Sequence, residues 1–182
     1  MMRSSLDIRP GRLRVPVNAR DHTLGPADAP VTLVEYADFQ CPYAGLAYPV
    51  IQRALRLRRG VVRFVYRHFP LVNLYPDGEF AAEAAEVAGA QGRFWSMHDW
   101  LFTHQDRARP VWVTAAAHRL GLDTAAFTRA VAARTYLQRV RDDFLGGLRS
   151  GVNGTPTFFV NGVRHEGGHD LDDLLEAVDA AA

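Results

Sequence analysis

A strand–helix–strand unit constrains this chain more than any other feature. Residues 31–37 are apolar and rich in β-branched side chains, which is typical of a strand buried on both faces. Helical spacing of apolar residues begins at Pro42, a residue suited to a first helical turn, and Gly60 ends that helix. Residues 61–69 have the composition of a second strand. Two strands joined by a helix within about 40 residues should lie parallel in one sheet.

The C-terminal segment predicts a hairpin that completes this sheet. Residues 157–160 form a short apolar strand, and Asn161-Gly162 is a strong signal for a two-residue turn. Residues 163–165 then return as an antiparallel strand, and Asp170 is a typical N-cap for a last helix. The sequence therefore predicts an α/β fold with a four-stranded mixed sheet, ordered β-α-β and then β-β-α.

Two further regions flank or interrupt these elements. Residues 1–30 contain repeated Pro and Gly, which disfavour a helix, and we expect an extended N-terminal arm. Residues 78–150 carry several apolar stripes at helical spacing and predict a helical insertion of four or five helices. The main domain is predicted over residues 31–182.

Composition and charge exclude several classes of function. The net charge of +1 gives no electrostatic basis for binding nucleic acid or a membrane surface. No apolar run is long enough to span a bilayer, and the first residues lack the apolar core of a signal peptide. A single cysteine forbids an intramolecular disulfide, so a disulfide-stapled secreted scaffold is excluded. We expect a cytoplasmic protein without nucleic-acid or membrane partners.

That single cysteine, Cys41, lies between the first strand and the first helix. Backbone N–H groups and the dipole at a helix N-terminus favour the thiolate over the thiol, so Cys41 is a candidate nucleophile. A lone thiol is also often a buried packing residue. Position alone does not separate the two interpretations.

A second candidate feature is the Thr155-Pro156 junction, which immediately precedes the strand of residues 157–160. An X-Pro bond can be cis, and a cis proline here would expose the backbone of Thr155 for pairing with an extended peptide. The alternative is an ordinary turn proline at the start of a strand.

Together, these features resemble the thioredoxin superfamily and, within it, the DsbA-like thiol–disulfide oxidoreductases. The likeness covers about residues 20–180 and implies a thioredoxin-like fold. The chain is similar to a bacterial branch of this family in which some members are fused to sodium/proton antiporters. The tracts that carry it are Cys41-Pro42-Tyr43, Gly25-Pro26-Ala27-Asp28-Ala29-Pro30-Val31, Tyr66-Arg67-His68-Phe69-Pro70-Leu71 and Gly154-Thr155-Pro156-Thr157-Phe158-Phe159-Val160-Asn161-Gly162.

The resemblance assigns a role to each candidate residue. Cys41 would attack a disulfide, Pro156 would be a cis proline facing it, and Thr155 would shape the substrate groove. Glu35 matches the buried acid that relays a proton near the active cysteine in DsbA-like proteins, although an edge-exposed carboxylate is an equal alternative. Pro42, Tyr43 and Ala44 complete the active-site motif.

Ala44 is where the chain departs from the family, because C-x-x-C enzymes have a second cysteine there. That cysteine releases the mixed disulfide by attacking it. The chain is then a monothiol enzyme resolved by an external thiol such as glutathione, a Cys-to-Ala variant of a dithiol enzyme, or a redox-inactive domain that binds peptides.

The predicted partners are protein or peptide thiols and disulfides, with glutathione as a candidate co-substrate and no cofactor. A glutathione-dependent transferase or isomerase of the kappa class is a rival, but such proteins carry a hydroxyl at the active position. His165 and His169 fit an H-E-x-x-H pattern, yet Gly167-Gly168 opposes the helix that zinc ligation needs. We therefore predict no metal site.

Overall fold

The computed structural model describes residues 11–182 and contains one five-stranded sheet and seven α-helices in that range. The strands are β1 (His22–Leu24), β2 (Val31–Ala37), β3 (Val62–His68), β4 (Thr157–Val160) and β5 (Val163–Arg164). The helices are α1 (Pro42–Leu57), α2 (Gly78–Ala90), α3 (Phe94–Thr103), α4 (Pro110–Arg119), α5 (Thr124–Ala132), α6 (Leu137–Arg149) and α7 (Leu171–Asp179), with a 3₁₀ turn at Gln105–Arg107.

The sheet has the order β1-β3-β2-β4-β5 and the thioredoxin-like topology that the sequence predicts. Strands β2 and β3 are parallel, and the β4–β5 hairpin joins β2 in antiparallel fashion. Asn161 and Gly162 both have positive φ, as the tight turn between β4 and β5 requires.

The predicted number of strands is wrong by one. His22–Leu24, which the sequence assigns to the arm, pairs antiparallel with β3 and forms a fifth strand at the edge of the sheet. Three residues among several Pro and Gly are too short for an alternation pattern, which explains the error. Residues 1–10 of the predicted arm lie outside the described residues.

A buried arginine fixes the rest of the arm to the sheet. Arg67 lies among apolar residues in β3 and is only 1% exposed. Its guanidinium forms a bidentate ion pair with Asp21, at 2.8 and 2.9 Å. It also donates hydrogen bonds to the carbonyl oxygens of Val15 and Pro16. The arm therefore supplies the charge and the acceptors that allow Arg67 to be buried.

Helices cover both faces of the sheet. Leu33 and Ala37 of β2 belong to a large core that also contains Cys41, whereas Val34 and Tyr36 belong to a smaller core on the opposite face. Since side chains alternate along a strand, Glu35 lies on the same face as Leu33 and Ala37. Among residues 11–182, no helix is long and apolar enough to cross a membrane.

Candidate active site

Cys41 is the N-cap residue of α1, and a loop of three residues, 38–40, separates it from β2. The residue that follows, Pro42, occupies the first helical position and brings no N–H, so the free donors of the first turn are those of Tyr43 and Ala44. Cys41 is only 2% exposed. The structure thus combines the two interpretations of the sequence, because the thiol is both buried and at a helix N-terminus.

The loop before β4 brings a backbone acceptor to this thiol. The Thr155–Pro156 peptide bond is cis, and the Sγ of Cys41 donates a hydrogen bond to the carbonyl oxygen of Thr155 at 3.2 Å. These residues are separated by more than a hundred positions in sequence. The two sequence-predicted features, Cys41 and Thr155-Pro156, therefore meet at one point.

Tyr43 and Ala44 face opposite environments on the first turn of α1. The Tyr43 side chain is 70% exposed, whereas Ala44 is fully buried in the core that contains Cys41. A side chain at position 44 is thus sheltered from solvent, and the methyl group present there offers no hydrogen-bond donor.

A groove with a volume of about 250 Å³ lies beside the cis bond. Thr155, Pro156 and Thr157 line one part of it, and Arg164 and His169 line another. The Thr155 hydroxyl is buried and has no hydrogen-bond partner among the described residues. The groove and the Cys41 thiol thus share Thr155, whose carbonyl oxygen accepts the hydrogen bond from Sγ.

Glu35 is buried on the same face of the sheet as Cys41. It is 2% exposed, and its Oε1 has no hydrogen-bond partner in the described part of the chain. Burial raises the pKa of Glu35 to about 8. The edge-exposed alternative is therefore wrong, and Glu35 is a carboxyl group that can gain or lose a proton near neutral pH.

Tyr66 lies close enough to Glu35 and Cys41 for the charges of both residues to affect its pKa. Its hydroxyl donates to the carbonyl oxygen of Ala37 at 3.3 Å. Burial raises the pKa of Tyr66 well above its ordinary value, and the charges of Glu35, Asp38 and Cys41 raise it further. Glu35 and Cys41 thus act on one common neighbour.

The loop that carries Cys41 is held by two side chains that the sequence analysis missed. Asp38 accepts hydrogen bonds from the backbone N–H of Gln40 and of Leu71, while burial raises its pKa. Gln105, in the helical insertion, donates to the carbonyl oxygens of Phe39 and Cys41 at 2.8 and 2.9 Å.

Tyr75 is the third site residue that was missed. Partial burial raises the pKa of its hydroxyl, and the nearby Cys41 and Asp38 raise it further. Tyr75 follows β3, whose carboxyl end lies beside that of β2 because the two strands are parallel. Because the sequence predicts that β2 and β3 are parallel, the residues that follow β3 are expected near those that follow β2. That proximity is the signal by which Tyr75 could have been found.

The fold and site define a thioredoxin-like α/β protein with a cysteine at the start of its first long helix. A family model described as thioredoxin matches residues 18–180. The chain therefore belongs to the thioredoxin family.

Solved structures agree with this assignment. A thioredoxin-like oxidoreductase from Silicibacter pomeroyi DSS-3 has a TM-score of 0.80 at 31% identity, over 90% of this chain and 93% of that one. Alpha-DsbA1 from Wolbachia pipientis has a TM-score of 0.79 at 23% identity, over 93% of this chain and 94% of that one. The chain thus has the fold of DsbA-like thiol–disulfide oxidoreductases.

Curated relatives are much longer proteins. A protein named Na(+)/H(+) antiporter NhaA 1 from Salinispora arenicola is 48% identical over 93% of this chain, which spans 26% of that protein. An antiporter of the same name from Mycobacterium sp. (strain KMS) is 42% identical over 88% of this chain, which spans 27% of it. The chain therefore spans about a quarter of the length of these relatives.

Proposed function

We propose that this protein is a monothiol thiol–disulfide oxidoreductase that acts through Cys41 on protein or peptide disulfides. The proposal rests on one observation above others. In a chain of the thioredoxin family, the only cysteine lies at a helix N-terminus, 3.2 Å from the backbone of the cis Thr155–Pro156 unit. A structural cysteine needs no such placement.

The proposed reaction has two exchange steps. The Cys41 thiolate attacks one sulfur of a substrate disulfide, a Cys41–substrate disulfide forms, and the other substrate sulfur leaves as a thiolate that takes a proton from solvent. A low-molecular-weight thiol such as glutathione then attacks the mixed disulfide. Either the substrate or Cys41 leaves as the thiolate, and attack at the substrate sulfur returns Cys41 to its starting state.

Ala44 explains why the second step needs an external thiol. In a dithiol enzyme, residue 44 would supply the attacking sulfur from within the chain. Here that position is a buried methyl group. The intermediate should therefore persist until a small thiol reaches it.

The other site residues have supporting roles in this proposal. The groove beside Thr155 and Pro156 holds the substrate backbone, and Tyr43, which is exposed on the first turn of α1, is available to contact a substrate bound at Cys41. Glu35, with its raised pKa, exchanges protons with the site near neutral pH. Because reduced small thiols are abundant in the cytoplasm, we propose that compartment, which cell fractionation would test.

The experiment compares the unmodified chain with Cys41→Ala and Ala44→Cys. A peptide disulfide with a fluorescence reporter is supplied with and without reduced glutathione. We expect a stable peptide adduct of the unmodified chain by mass spectrometry without glutathione, and turnover when it is added. Ala44→Cys should release the peptide without glutathione. If the unmodified chain and Cys41→Ala give the same rates and no adduct, the proposal is wrong.

A redox-inactive peptide-binding domain is the second candidate, favoured by the burial of Cys41 at 2% exposure. In that case the groove beside Pro156 would bind peptides equally well in the unmodified chain and in Cys41→Ala. Equal peptide affinity, together with no adduct in the exchange assay, would select this candidate.

A further inference from the structure

A second groove, with a volume of about 340 Å³, lies at the C-terminal end of α1. The turn after β1, the last turns of α1 and the start of β3 enclose it, and Leu24, Leu55 and Val62 form its apolar part. Because α1 has 16 residues, its two ends are about 24 Å apart. The second groove is therefore separate from the candidate active site, which lies at the N-terminal end of this helix.

The turn after β1 packs tightly where it forms one side of the second groove. Gly25 has a φ of +91°, and a Cβ at this position would lie 2.3 Å from the carbonyl oxygen of Val62. Only a residue without a side chain combines this conformation with so close an approach to β3. This side of the groove is thus formed by backbone in direct contact with the sheet.

The arginines near the end of α1 differ in their partners. Arg58 forms an ion pair with Asp179 of α7, with two N···O distances of 2.6 Å, and so joins the two helices. Arg56 and Arg59 line the second groove and are exposed, and neither forms a side-chain hydrogen bond or an ion pair with any residue of 11–182. The contact between α1 and α7 therefore accounts for Arg58 but not for Arg56 and Arg59.

The second groove is positively charged as well as apolar. Its lining residues, all within the described part of the chain, include no aspartate or glutamate that could neutralise Arg56 and Arg59. The carbonyl groups at the C-terminus of α1 carry the equivalent of about half a negative charge, which two guanidinium groups exceed. A guanidinium binds carboxylate or phosphate oxygens through parallel N–H donors. An anion with an apolar body would therefore match both properties of the groove.

We propose that the second groove binds an amphiphilic anion, a molecule whose apolar chain ends in a carboxylate or phosphate group. Arg56 and Arg59 bind the anionic group, and the chain lies against Leu24, Leu55 and Val62. The volume of the groove is near the lower end of the range for small-molecule sites, about 300 to 1,000 Å³, which favours a ligand with a single chain. This binding does not use Cys41, so the inference goes beyond the proposed exchange reaction.

The test follows the binding of octanoate to the full chain by ¹H–¹⁵N NMR. The amides of Gly25 and Gly60 report on the second groove, because both residues line it. We expect octanoate to shift these amides in a saturable way. Acetate, which has the charge without the chain, and 1-octanol, which has the chain without the charge, should each bind at least about tenfold more weakly.

The double variant Arg56→Gln/Arg59→Gln removes both charges from the second groove, and its affinity for octanoate should fall at least about tenfold. Arg119→Gln/Arg129→Gln is the matched control, because it removes the same charge from exposed arginines on α4 and α5. The control should bind octanoate as the unmodified chain does. If octanoate does not shift Gly25 and Gly60, or if both double variants bind it equally well, the proposal is wrong.

Vesicles distinguish the two sources of such an anion, a free amphiphile and a bilayer lipid. The net charge of +1 is a sum over the whole chain and does not describe the local charge of the second groove. Once octanoate binding is established, co-sedimentation with phosphatidylglycerol vesicles but not with phosphatidylcholine vesicles, lost in Arg56→Gln/Arg59→Gln, would identify a bilayer lipid as the ligand. Octanoate binding without co-sedimentation would identify a free amphiphile.

Discussion

Two buried glutamates in the same domain have opposite electrostatic surroundings. On α2, Glu86 accepts hydrogen bonds from the side chains of His22 and His68 at 2.9 and 2.8 Å, and the guanidinium of Arg139 lies 3.9 Å away. Burial opposes ionisation, but the two histidines lower the pKa of Glu86 well below its ordinary value. On β2, Glu35 has no comparable partner among the described residues for its Oε1, and its pKa rises to about 8.

The difference distinguishes a carboxylate that stabilises the fold from a carboxyl group that can exchange protons at the site. Glu86 joins β1, β3 and α2, so its ionised form is part of what holds the edge strand in the sheet. Glu35 contributes no such link, and its environment favours the protonated form at neutral pH. A buried carboxyl with matched partners stabilises the fold, whereas one without partners becomes a proton-exchanging group beside the candidate nucleophile.

The largest expected effect is on Glu86. Glu86→Gln removes a buried charge that pairs with two imidazoles and leaves them with a weaker acceptor. Breaking a buried pair typically costs about 3 kcal/mol or more, and we expect that loss in the free energy of unfolding at pH 7. Urea titration followed by circular dichroism would measure it. Equal stability of both chains would show that the histidines do not depend on the charge.

The pH dependence of the stability difference between the unmodified chain and Glu86→Gln gives a stricter test. Because the native pKa of Glu86 lies below the ordinary value of 4.5, its contribution is fully present above pH 4.5 and is lost as the pH falls below it. Glu166→Gln is the control, since Glu166 is 75% exposed and pairs with Arg164 at the surface. It should change stability by no more than about 0.5 kcal/mol.

Glu35 should produce a slope of the opposite sign. Between pH 4.5 and about 8, the unfolded chain has released this proton while the native chain still holds it. The unfolded state then binds fewer protons, so stability falls as pH rises, by about 1.4 kcal/mol per pH unit. The slope ends above pH 8.

Glu35→Gln removes that titration and keeps the shape of the side chain. The stability of the unmodified chain minus that of Glu35→Gln should therefore decline across the window and then level off. Urea titrations at half-unit pH steps would trace it. A flat difference curve would mean that Glu35 is ionised in the native protein, and its proton-exchange role would be wrong.

The sequence predicted the central residues of the site better than the residues that hold them in place. Cys41 and Thr155-Pro156 could be placed because a helix start and an X-Pro bond before a strand are local patterns. The sheet topology followed from one β-α-β unit and one hairpin. Glu35 could be assigned only by resemblance, and its burial, which determines its chemistry, appeared only in the structure.

The residues that escaped prediction depend on distant partners. Tyr75 and Gln105 lie in a loop and a 3₁₀ turn, where no periodic pattern marks a functional side chain. Their roles depend on how the helical insertion and the loop after β3 fold back on Cys41. His22–Leu24 was missed for the same reason, since a three-residue edge strand is defined by its partner β3.

A smaller effect on stability is expected at Gln105, which is part of the site but uncharged. Gln105→Ala removes two hydrogen bonds to the carbonyl oxygens of Phe39 and Cys41, and we expect a loss of about 1 kcal/mol. The rate of thiol–disulfide exchange should fall by more than the small loss of stability implies, because the Cys41 loop loses its link to the helical insertion. Gln138→Ala is the control, since Gln138 contacts Asp142 on its own helix.

Gly45→Ala tests the same link from the opposite side. A Cβ at residue 45 would lie 2.1 Å from the side-chain oxygen of Gln105, so that side chain must move away from the loop. Alanine also favours a helix by about 1 kcal/mol over glycine, which offsets the lost hydrogen bonds. We therefore expect slower exchange with nearly unchanged stability. Unchanged exchange in both Gln105→Ala and Gly45→Ala would mean that Asp38 alone is enough to hold the loop.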